Sequence, residues 1–570
     1  MANSDVAARD GKDSDVVLVP LGGVGEIGMN VYLYGMGPED DRTWLMVDLG
    51  LTFPGSDEPG VDVILPDLTF IKGERKNLAG LVITHAHEDH IGAVLELWPE
   101  LEVPVYATPF AAGMLRAKST EFGGRTLPDL HEVALGSRFS VGPFDLELID
   151  MSHSIPETSG IAMRTPHGII LHTADWKLDD APYVGRSTDT DKLKALGSEG
   201  VLTLVCDSTN VMRDGASASE EAIAASLADV VKAAKRRVVI TTFSSNVARI
   251  KAAADAAAAN GRKFVVAGRA LHRVIAVAMD SGYLPEDFTY LDQDAAQRLP
   301  ASEILLLVTG SQGENRAALA RIANDDHPTI SLDRGDTVIY SSRTIPGNER
   351  EVLAVQNKLA EMGVEIITDA DALVHVTGHP RRDELRELYG WVKPDFLVPM
   401  HGEPRHLLEH AKFAGQHGIK SVKRVRDGDV VRLAPNPGDL IDEVPVGRLY
   451  RDGKLIIAAD EGSVRERRKL SMAGIVVVAL TVDRHGNVLA EPDAVLDGIP
   501  FETRDGTSFE DLVFDAVDRT VAGLSAKRKR DFDATADSVK RAVRSAIEQA
   551  WGKRTIVKVI VTEIDMKASK

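Results

Sequence analysis

The chain of 570 residues is 44% hydrophobic and 27% charged, which excludes a disordered or fibrous protein and, at this length, a single hydrophobic core; we expect roughly two to four domains. No apolar run approaches the roughly 20 residues of a membrane span. The one cysteine, Cys206, excludes a disulfide framework and a cysteine-rich zinc site. We therefore expect a cytoplasmic protein without a membrane partner. The net charge of −20 lies in the first 450 residues, where only a local basic groove or bound divalent cations would attract a polyanion.

Residues 16–215 alternate short apolar strands with glycine-rich turns, after a small, charged segment 1–15 that we expect to be disordered. Few helices are expected between these strands, apart from one that starts near His90 in the segment HIGAVLELW. The pattern predicts two stacked sheets with helices outside. The predicted strands are VVLVPLGG, VYLYG, TWLMVDLG, LAGLVITH, VPVYATP, FDLELIDMSHS, GIAMRT and GIILHTAD.

Residues 216–370 change to alanine-rich helices between strands, the pattern of a doubly wound α/β domain. In 371–450 the pattern of the first part, an apolar strand followed by a histidine, occurs again in ALVHVTGH and FLVPMHGE. We therefore interpret the α/β block as an insertion into the first domain. We expect a linker over 451–462. In 463–570, two strands around the amphipathic helix DSVKRAVRSAIEQAWG predict a small α+β domain.

The strongest motif is THAHEDHIG, directly after the apolar strand LVI. It places three histidines and an aspartate within six residues, namely His85, His87, Asp89 and His90. Imidazole and carboxylate groups are good ligands for Zn²⁺ and similar ions. In an extended loop the first two point one way, and the last two, at the turn into a helix, face a second point. Further candidate ligands lie at other strand ends: His153, Asp175 and His401.

Nine segments, in this order, resemble the bacterial ribonuclease J family: LGGVGEIGMN, HAHEDHIG, HTADWK, DSTN, TFSSN, TGSQGE, SSRTIPGNE, HVTGH and PMHGE. The resemblance covers nearly the whole chain. It implies an α/β protein with a metallo-β-lactamase αββα sandwich, an inserted β-CASP α/β domain and a small C-terminal α+β domain. Ala86 and Ala174 stand where the family often has glycine, and Trp176 where phenylalanine is usual; none of these departures removes a ligand.

The resemblance implies two divalent metal ions, Zn²⁺ above all, with Mn²⁺ or Mg²⁺ as alternatives. One ion would take His85, His87, His153 and Asp175, and the other Asp89, His90, Asp175 and His401, so that Asp175 bridges. The implied activity is 5′→3′ exonuclease and endonuclease cleavage of single-stranded RNA in RNA maturation, including rRNA processing, and in mRNA decay. RNA with a 5′ monophosphate would be preferred, and a water activated by two metals would hydrolyse the phosphodiester.

The resemblance also assigns a catalytic set of His379, Asp207 and Asp89. His379 would protonate the leaving oxygen or stabilise the scissile phosphate, and Asp207 would fix the orientation of a metal-bound histidine. A buried core histidine and a turn cap remain the structural alternatives for these two. We expect His172, inside the strand IILHTAD, to be structural or to orient Asp175.

Two loops are implied to hold the RNA 5′ phosphate. They comprise Ser244, Ser245 and Asn246, and His375, Val376, Thr377, Gly378 and His379. The first loop opens a helix, whose N-terminus attracts anions, although serine and asparagine are equally suited to a plain N-cap. The segments 309–315 and 341–349 are expected to line the RNA channel. Arg269, Arg316 and Arg343 would add positive charge there or be merely solvated.

The implied partners are single-stranded RNA, further copies of the chain in a homodimer or homotetramer, and components of an RNA-decay complex. We expect the C-terminal domain to serve assembly; the alternative is an RNA-binding appendage that uses Lys527 to Arg530. Two competing functions stay open: a β-CASP nuclease specialised for DNA or for one RNA-processing step, and an inactive RNA-binding subunit that supports an active paralogue. A lactonase or thioesterase is disfavoured because such enzymes lack the inserted block.

Overall fold

The structure is a computed structural model that describes residues 15–121, 123–124, 127 and 129–564. The chain divides into two compact units: the first contains the chain up to Phe53 together with Val63–Leu449, and the second contains Pro54–Asp62 together with the chain from Tyr450. The expected disordered segment 1–15 lies outside the described residues except for Asp15. No helix in the described ranges combines the length and apolarity needed to cross a bilayer.

The N-terminal half of the first unit supplies most strands of two sheets. Its elements are β1 (Val16–Gly22), β2 (Val31–Met36), β3 (Thr43–Val47), β4 (Val63–Pro66), α1 (Thr69–Gly73), β5 (Leu78–Val82), α2 (Glu88–Ile91), α3 (Val94–Leu101), β6 (Val105–Ala107), α4 (Pro109–Glu121), β7 (Leu130–Glu132), β8 (Arg138–Val141), β9 (Phe144–Asp150), β10 (Ser159–Thr165), β11 (Gly168–His172), α5 (Thr190–Glu199) and β12 (Val201–Asp207).

The remainder of the first unit alternates helices and strands before the last strands of the two sheets. Its elements are α6 (Glu220–Ala233), β13 (Val238–Thr241), α7 (Val247–Ala259), β14 (Lys263–Ala267), α8 (Arg269–Asp280), β15 (Leu291–Asp292), β16 (Ile304–Val308), α9 (Ala318–Ala323), β17 (Thr337–Tyr340), α10 (Glu349–Glu361), β18 (Glu365–Ile367), α11 (Arg382–Val392), β19 (Phe396–Met400), α12 (Pro404–Gln416), β20 (Ser421–Val422), β21 (Asp429–Ala434) and β22 (Leu440–Glu443).

Two of the sheets stack face to face. One has the strand order β22-β21-β1-β2-β3-β5-β6-β7 and the other β20-β19-β12-β11-β10-β9-β8. Alternate residues of both, such as Leu18 and Tyr34 from the first and Leu148 and Val398 from the second, form a shared core. The outer faces pack against helices, α3 and α4 on the first sheet and α5, α11 and α12 on the second. The layers are therefore helix, sheet, sheet and helix, as expected.

The α/β block forms a third sheet, with all strands parallel in the order β15-β14-β16-β13-β17-β18. Helices α6 and α7 cover one face, and α9 and α10 cover the other, because strands buried on both faces need apolar cover on each side. Strand β12, before the block, pairs in parallel with β19, after it. The block is thus an insertion between two neighbouring strands of the sandwich, as the sequence predicts.

The second unit has its own small core. Strand β23 (Arg448–Asp452) begins at the end of the first unit, and the elements that follow are β24 (Leu455–Ala458), α13 (Ser463–Ala473), β25 (Ile475–Val482), β26 (Asp493–Asp497), α14 (Phe509–Gly523), α15 (Ala526–Lys529), α16 (Phe532–Trp551) and β27 (Ile556–Glu563). The sheet β26-β25-β27 packs one face against α14 and α16. The segment 451–462, expected to be a linker, contains the end of β23 and all of β24.

Three further local expectations differ from the structure. Helices α4 and α5 were not expected, since the first is rich in small residues and the second is short and polar, and neither has a clear apolar stripe. The segment HIGAVLELW is divided between α2 and α3. The expected strand ALVHV is a loop: the backbone oxygen of Val374 accepts hydrogen bonds from Arg249 Nη1 and Ser341 Oγ, both at 2.6 Å, in place of a neighbouring strand.

Candidate metal centre and phosphate-binding loops

Metal-ligating side chains gather where strands of the sandwich end. The motif THAHEDHIG follows β5, and the other candidates follow β9, β11 and β19. Because these strand ends meet at one edge of the sandwich, residues separated by more than 300 positions become neighbours. The structure brings together all the expected ligands: His85, His87, Asp89, His90, His153, Asp175 and His401.

The first group comprises His85, His87, His153 and Asp175, whose ligand atoms all lie within 4.8 Å of one another. His87 Nδ1 is 3.1 Å from Nε2 of both His85 and His153, and Asp175 Oδ2 is 3.8 Å from the same two atoms. Burial lowers the pKa of all three histidines, that of His87 to about 4. Neutral rings keep a lone pair that can bind a metal. Ligands about 2.1 Å from a tetrahedral zinc ion would lie roughly 3.4 Å apart, which is close to the distances between these atoms.

The second group comprises Asp89, His90, Asp175 and His401. Asp175 Oδ2 is 3.3 Å from His90 Nε2 and 3.5 Å from His401 Nε2, and Asp89 Oδ2 is 3.6 Å and 3.9 Å from the same two atoms. Burial raises the pKa of Asp175, but His401 and His90 lower it well below its ordinary value. Asp175 is therefore an ionised carboxylate shared by both groups.

This donor set fits two divalent ions. Five imidazoles and two carboxylates form the mixed nitrogen and oxygen environment that suits zinc-like metals. Asp175 Oδ1 is buried and has no hydrogen-bond partner among the described residues, and a buried carboxylate oxygen is costly unless a partner satisfies it. A cation between the two groups would provide that partner.

Asp48 supports the second group, and our sequence analysis did not find it. Its fully buried carboxylate has Oδ2 2.7 Å from His90 Nδ1, and it accepts hydrogen bonds from Thr84 N and Oγ1, both at 2.8 Å. Such a partner fixes the ring orientation and leaves Nε2 for a metal. The only sequence signal is an aspartate directly after the apolar strand TWLMV.

Asn30 holds the opposite side of the same group. Its Oδ1 lies 2.9 Å from His401 Nδ1 and accepts a hydrogen bond from Tyr32 at 2.9 Å. Its Nδ2 donates to the backbone oxygen of Asp89 at 3.1 Å. This asparagine was also missed, because a single polar residue before the strand VYLYG is an ordinary feature of a loop.

His379 lies beside the metal groups, with its side chain 21% exposed. Its Nδ1 is 2.7 Å from Asp207 Oδ2 and 4.0 Å from Asp175 Oδ2. Burial lowers the pKa of His379, but Asp207 and Asp175 together raise it to about 9. Asp207 Oδ1 also accepts from Thr209 N at 2.8 Å. Asp207 is thus both a turn cap and the partner of His379, rather than the hydrogen-bond partner of one of the seven candidate ligands.

The loop 374–379 is fastened near the metal groups. His153 Nδ1 hydrogen-bonds the backbone oxygen of Gly378 at 2.5 Å. Asn210 Nδ2 donates to Thr377 Oγ1 at 2.5 Å and to the backbone oxygen of His379 at 3.3 Å. A candidate ligand and a residue of the motif DSTN therefore fix this loop.

Both candidate phosphate loops present unused backbone donors. In the described part of the chain no acceptor receives a hydrogen bond from the backbone N–H groups of Ser244, Ser245, Val376, Thr377 and Gly378. Asn246 is an N-cap, since its Oδ1 accepts from Arg249 N at 2.9 Å, so the N-cap alternative holds for this residue. Free N–H groups at a helix N-terminus and in a neighbouring loop form an environment for an anion.

Burial lowers the pKa of two other histidines near the site. His172 Nδ1 hydrogen-bonds Tyr34 at 2.8 Å in the core between the sheets, so its partner is not Asp175. Burial lowers the pKa of His172 to about 3. Burial, with the nearby charges of Arg249 and Lys177, lowers the pKa of His375 to about 3 as well, which keeps this residue of the second loop neutral.

The segments 309–315 and 341–349 are joined through Gln312. Its Nε2 donates to the backbone oxygen of Arg343 at 2.9 Å, and its Oε1 accepts from Ile345 N at 2.8 Å. Arg269 and Arg316 are exposed. Their place along an RNA path stays a prediction.

A helix-sheet-sheet-helix sandwich with two groups of histidines and aspartates at its strand ends defines a metallo-β-lactamase-fold hydrolase. Family models agree: residues 24–188 match the metallo-beta-lactamase superfamily and 363–423 match a Zn-dependent metallo-hydrolase RNA specificity domain. Residues 235–359 match the beta-CASP domain of ribonuclease J, and 462–564 match the ribonuclease J C-terminal domain. The chain belongs to the ribonuclease J family.

Curated relatives support the same assignment along almost the whole chain. Ribonuclease J of Sinorhizobium meliloti is 48% identical over 553 residues, which cover 97% of this chain and 98% of the relative. Ribonuclease J of Mycolicibacterium smegmatis is 37% identical over 95% of this chain and 96% of the relative. A crystal structure titled as a protein of unknown function from Enterococcus faecalis V583 aligns with a TM-score of 0.50 and 16% identity, over 73% of this chain and 100% of that one; it supports the fold alone.

Proposed function

We propose that this chain degrades RNA from the 5′ end, also cleaves RNA internally, and acts in cytoplasmic RNA maturation and mRNA decay. Membership of the ribonuclease J family makes it an RNA-cleaving, metal-dependent hydrolase. The observation that carries the finer proposal is the convergence of six candidate ligand side chains on a seventh, Asp175, beside two loops with free N–H groups. An RNA terminus and a hydrolytic centre would thus lie close together.

The metal ligands are proposed as the two groups that share Asp175, with Zn²⁺ as the preferred ion. Two divalent ions bound there would supply Lewis acidity and lower the pKa of water, so that it could lose a proton and act as a nucleophile near neutral pH. The protein contributes a rigid, buried frame in which Asp48 and Asn30 orient ligand histidines from behind. Such outer partners commonly change metal affinity about 10- to 100-fold.

His379 is proposed as the proton donor to the leaving oxygen. Its raised pKa keeps the ring protonated near neutral pH, and its exposed edge leaves room for a substrate. Asp207 holds the Nδ1 side at 2.7 Å, so Nε2 carries the proton that would be transferred. Asp89, in the second metal group, completes the proposed catalytic set.

The preference for a 5′ monophosphate is assigned to the two loops, Ser244 to Asn246 and His375 to His379. The free N–H groups and the N-terminus of α7 would bind the terminal phosphate. We propose that the two additional phosphoryl groups of a triphosphate would not fit at this position. The same contacts would hold the RNA chain in register for cleavage.

Assembly into a homodimer or homotetramer is proposed to involve the second unit. One face of its sheet packs against α14 and α16, while the other presents half-exposed apolar residues, including Val495 and Ile560 at 53% and 54% exposure. An apolar sheet face left in solvent is typical of an interaction surface. Lys527 to Arg530 lie in and after the exposed helix α15, which keeps the appendage alternative testable. Contact with an RNA-decay complex remains part of the proposal.

The test is digestion of one RNA sequence carrying a 5′ monophosphate, a 5′ triphosphate or a 5′ hydroxyl, with a single-stranded DNA of the same sequence as control. The proposal expects release of mononucleotides from the 5′ end, fastest for the monophosphate. Equal rates for all RNA ends would remove the 5′ preference. Cleavage of DNA alone would favour the DNA-specialised alternative, and binding of RNA without cleavage would favour the inactive subunit.

A further inference from the structure

A fully buried arginine joins the two loops proposed to bind phosphate. Arg249 lies in the first turn of α7, and its side chain has no solvent exposure. Its backbone N–H is held by the cap residue Asn246. Its guanidinium Nη1 donates to the backbone oxygen of Val374 at 2.6 Å and also to Ser341 Oγ. One side chain therefore connects the N-terminus of α7 to the start of the loop 374–379.

A buried chain of charges neutralises Arg249. Glu220 Oε2 accepts from Arg249 Nη2 at 2.7 Å. Lys177 Nζ lies 3.8 Å from the other oxygen of Glu220 and donates to Asp179 Oδ2 at 2.8 Å. All four side chains are at most 4% exposed. The charges of the two cationic and two anionic side chains cancel, and removal of any one of these side chains would leave an uncompensated buried charge.

The same chain of contacts reaches the metal groups. The backbone N–H of Lys177 donates to the oxygen of Ser152 at 2.8 Å, and the next residue, His153, is a proposed metal ligand. Lys177 also lies two residues after Asp175. The charged cluster thus links the segment that carries the bridging carboxylate to the loops that present free N–H groups.

Stability alone is a weak reason for such a cluster, because well-packed apolar residues often replace a buried ion pair without loss. A guanidinium, however, can hydrogen-bond a carboxylate and a backbone oxygen in fixed directions at the same time. Val374 has no strand partner, so Arg249 and Ser341 determine where the loop 374–379 begins.

We propose that Arg249 is a positioning residue for recognition of the RNA 5′ phosphate. It holds the loop 374–379 against the N-terminus of α7, so that the free N–H groups of both segments face one anion. Glu220 balances the charge of the guanidinium and fixes its orientation, and Lys177 lies against the other oxygen of Glu220. The inference rests on the proposed function, because it concerns how the same site selects its substrate.

The experiment compares the full-length protein with Arg249→Lys, which keeps the charge but loses the directed bonds, and with the milder Ser341→Ala. The matched control is Arg237→Lys. Arg237 is also largely buried, and it pairs with Asp336 at 3.3 Å, but it precedes β13 and so lies at the end of the sheet away from the phosphate loops. Each protein is assayed for metal content, for kcat and KM on 5′-monophosphate and 5′-hydroxyl RNA, and for hydrogen exchange in 374–379.

The inference expects KM for the monophosphorylated RNA to rise roughly 10-fold in Arg249→Lys and less in Ser341→Ala, the loss typical of a charge-assisted hydrogen bond. The KM for hydroxyl RNA should change little, while exchange in 374–379 becomes faster. Because His379 and the contact with His153 also lie in this loop, any loss of kcat should be the same for both RNAs. The control should leave the ratio of the two KM values unaltered.

An equal rise in KM for both RNAs, or unchanged exchange in 374–379, would overturn the inference. If the unmodified protein does not distinguish the two RNA ends, the 5′ preference of the proposed function fails, and hydrogen exchange then decides the role of Arg249. If Arg249→Lys does not fold, Ser341→Ala serves for the same comparison, because this variant keeps Arg249 and the buried charges around it.

Discussion

Asp175 is the side chain on which both proposed metal sites depend. Its Oδ2 lies between 3.3 and 3.8 Å from ring nitrogens of four histidines, and its Oδ1 has no partner in the described part of the chain. Because the pKa of Asp175 is held well below its ordinary value, the group stays ionised. A shared, ionised carboxylate is the simplest way to keep two cations close to each other.

The role of His379 can be tested by His379→Ala. Because this residue is outside the two proposed ligand groups, the variant should keep its metals and bind RNA, yet cleave about 10²- to 10⁴-fold more slowly, the usual loss of a general acid. The measurement is single-turnover cleavage together with metal analysis. His131→Ala, which removes a half-exposed imidazole paired with Asp129, is the control. Unchanged turnover in His379→Ala would make His379 a structural residue.

At the scale of elements, the strand ends and the loops that follow them carry the site. The seven candidate ligands could be identified in the sequence because histidines are concentrated directly after apolar strands, where a structural explanation is weak. Asp48 and Asn30 were not predictable, since each is a single polar residue whose partners are distant in sequence. The loop 374–379 resembled a strand for a related reason: its backbone is satisfied by Arg249 and Ser341 from other elements.

Gly378 provides a test of the contact between the loop and the metal groups. A Cβ on this residue would lie 2.5 Å from His153 Cε1 and 2.7 Å from His153 Nδ1, closer than packing allows. Gly378→Ala should therefore displace His153 or the loop, weaken binding of one metal and reduce cleavage at least about 10-fold, as small misplacements at reaction centres do. Metal titration and cleavage rates measure both effects.

The control for this substitution is Gly415→Ala in α12, where an added Cβ meets no atom within 4 Å. It should leave activity unchanged and be neutral or slightly stabilising, because alanine is the better helix former. If Gly378→Ala keeps both metals at normal affinity, the loop does not constrain His153 in the way proposed.

At the scale of the whole molecule, the sequence predicts the sandwich, its insertion and a C-terminal α+β domain. The limits 216–370 for the insertion stay a prediction. The helices α4 and α5 could not be inferred, because tertiary packing rather than an apolar stripe stabilises them. Residues 54–62 join the second unit, a contact between segments far apart in the chain that no local pattern encodes.

The proposed assembly can be examined with Ile560→Glu on the open face of the β26-β25-β27 sheet. A charge in an apolar interface is costly, so light scattering should report a smaller particle at the same protein concentration, with the unfolding temperature of the chain little changed. Leu455→Glu, at a 67% exposed position of β24, is the matched control. An unchanged particle size in Ile560→Glu would remove this face from the assembly.

The central claim is that two divalent ions, held by Asp175 and the six candidate ligands around it, are required for RNA cleavage. The most direct measurement is the metal content of the purified, full-length protein by mass spectrometry, followed by RNA cleavage before and after treatment with a strong chelator. The account predicts about two ions per chain, most of them zinc, and loss of cleavage that returns when metal is restored. A preparation that cleaves RNA at full rate without bound metal would contradict it.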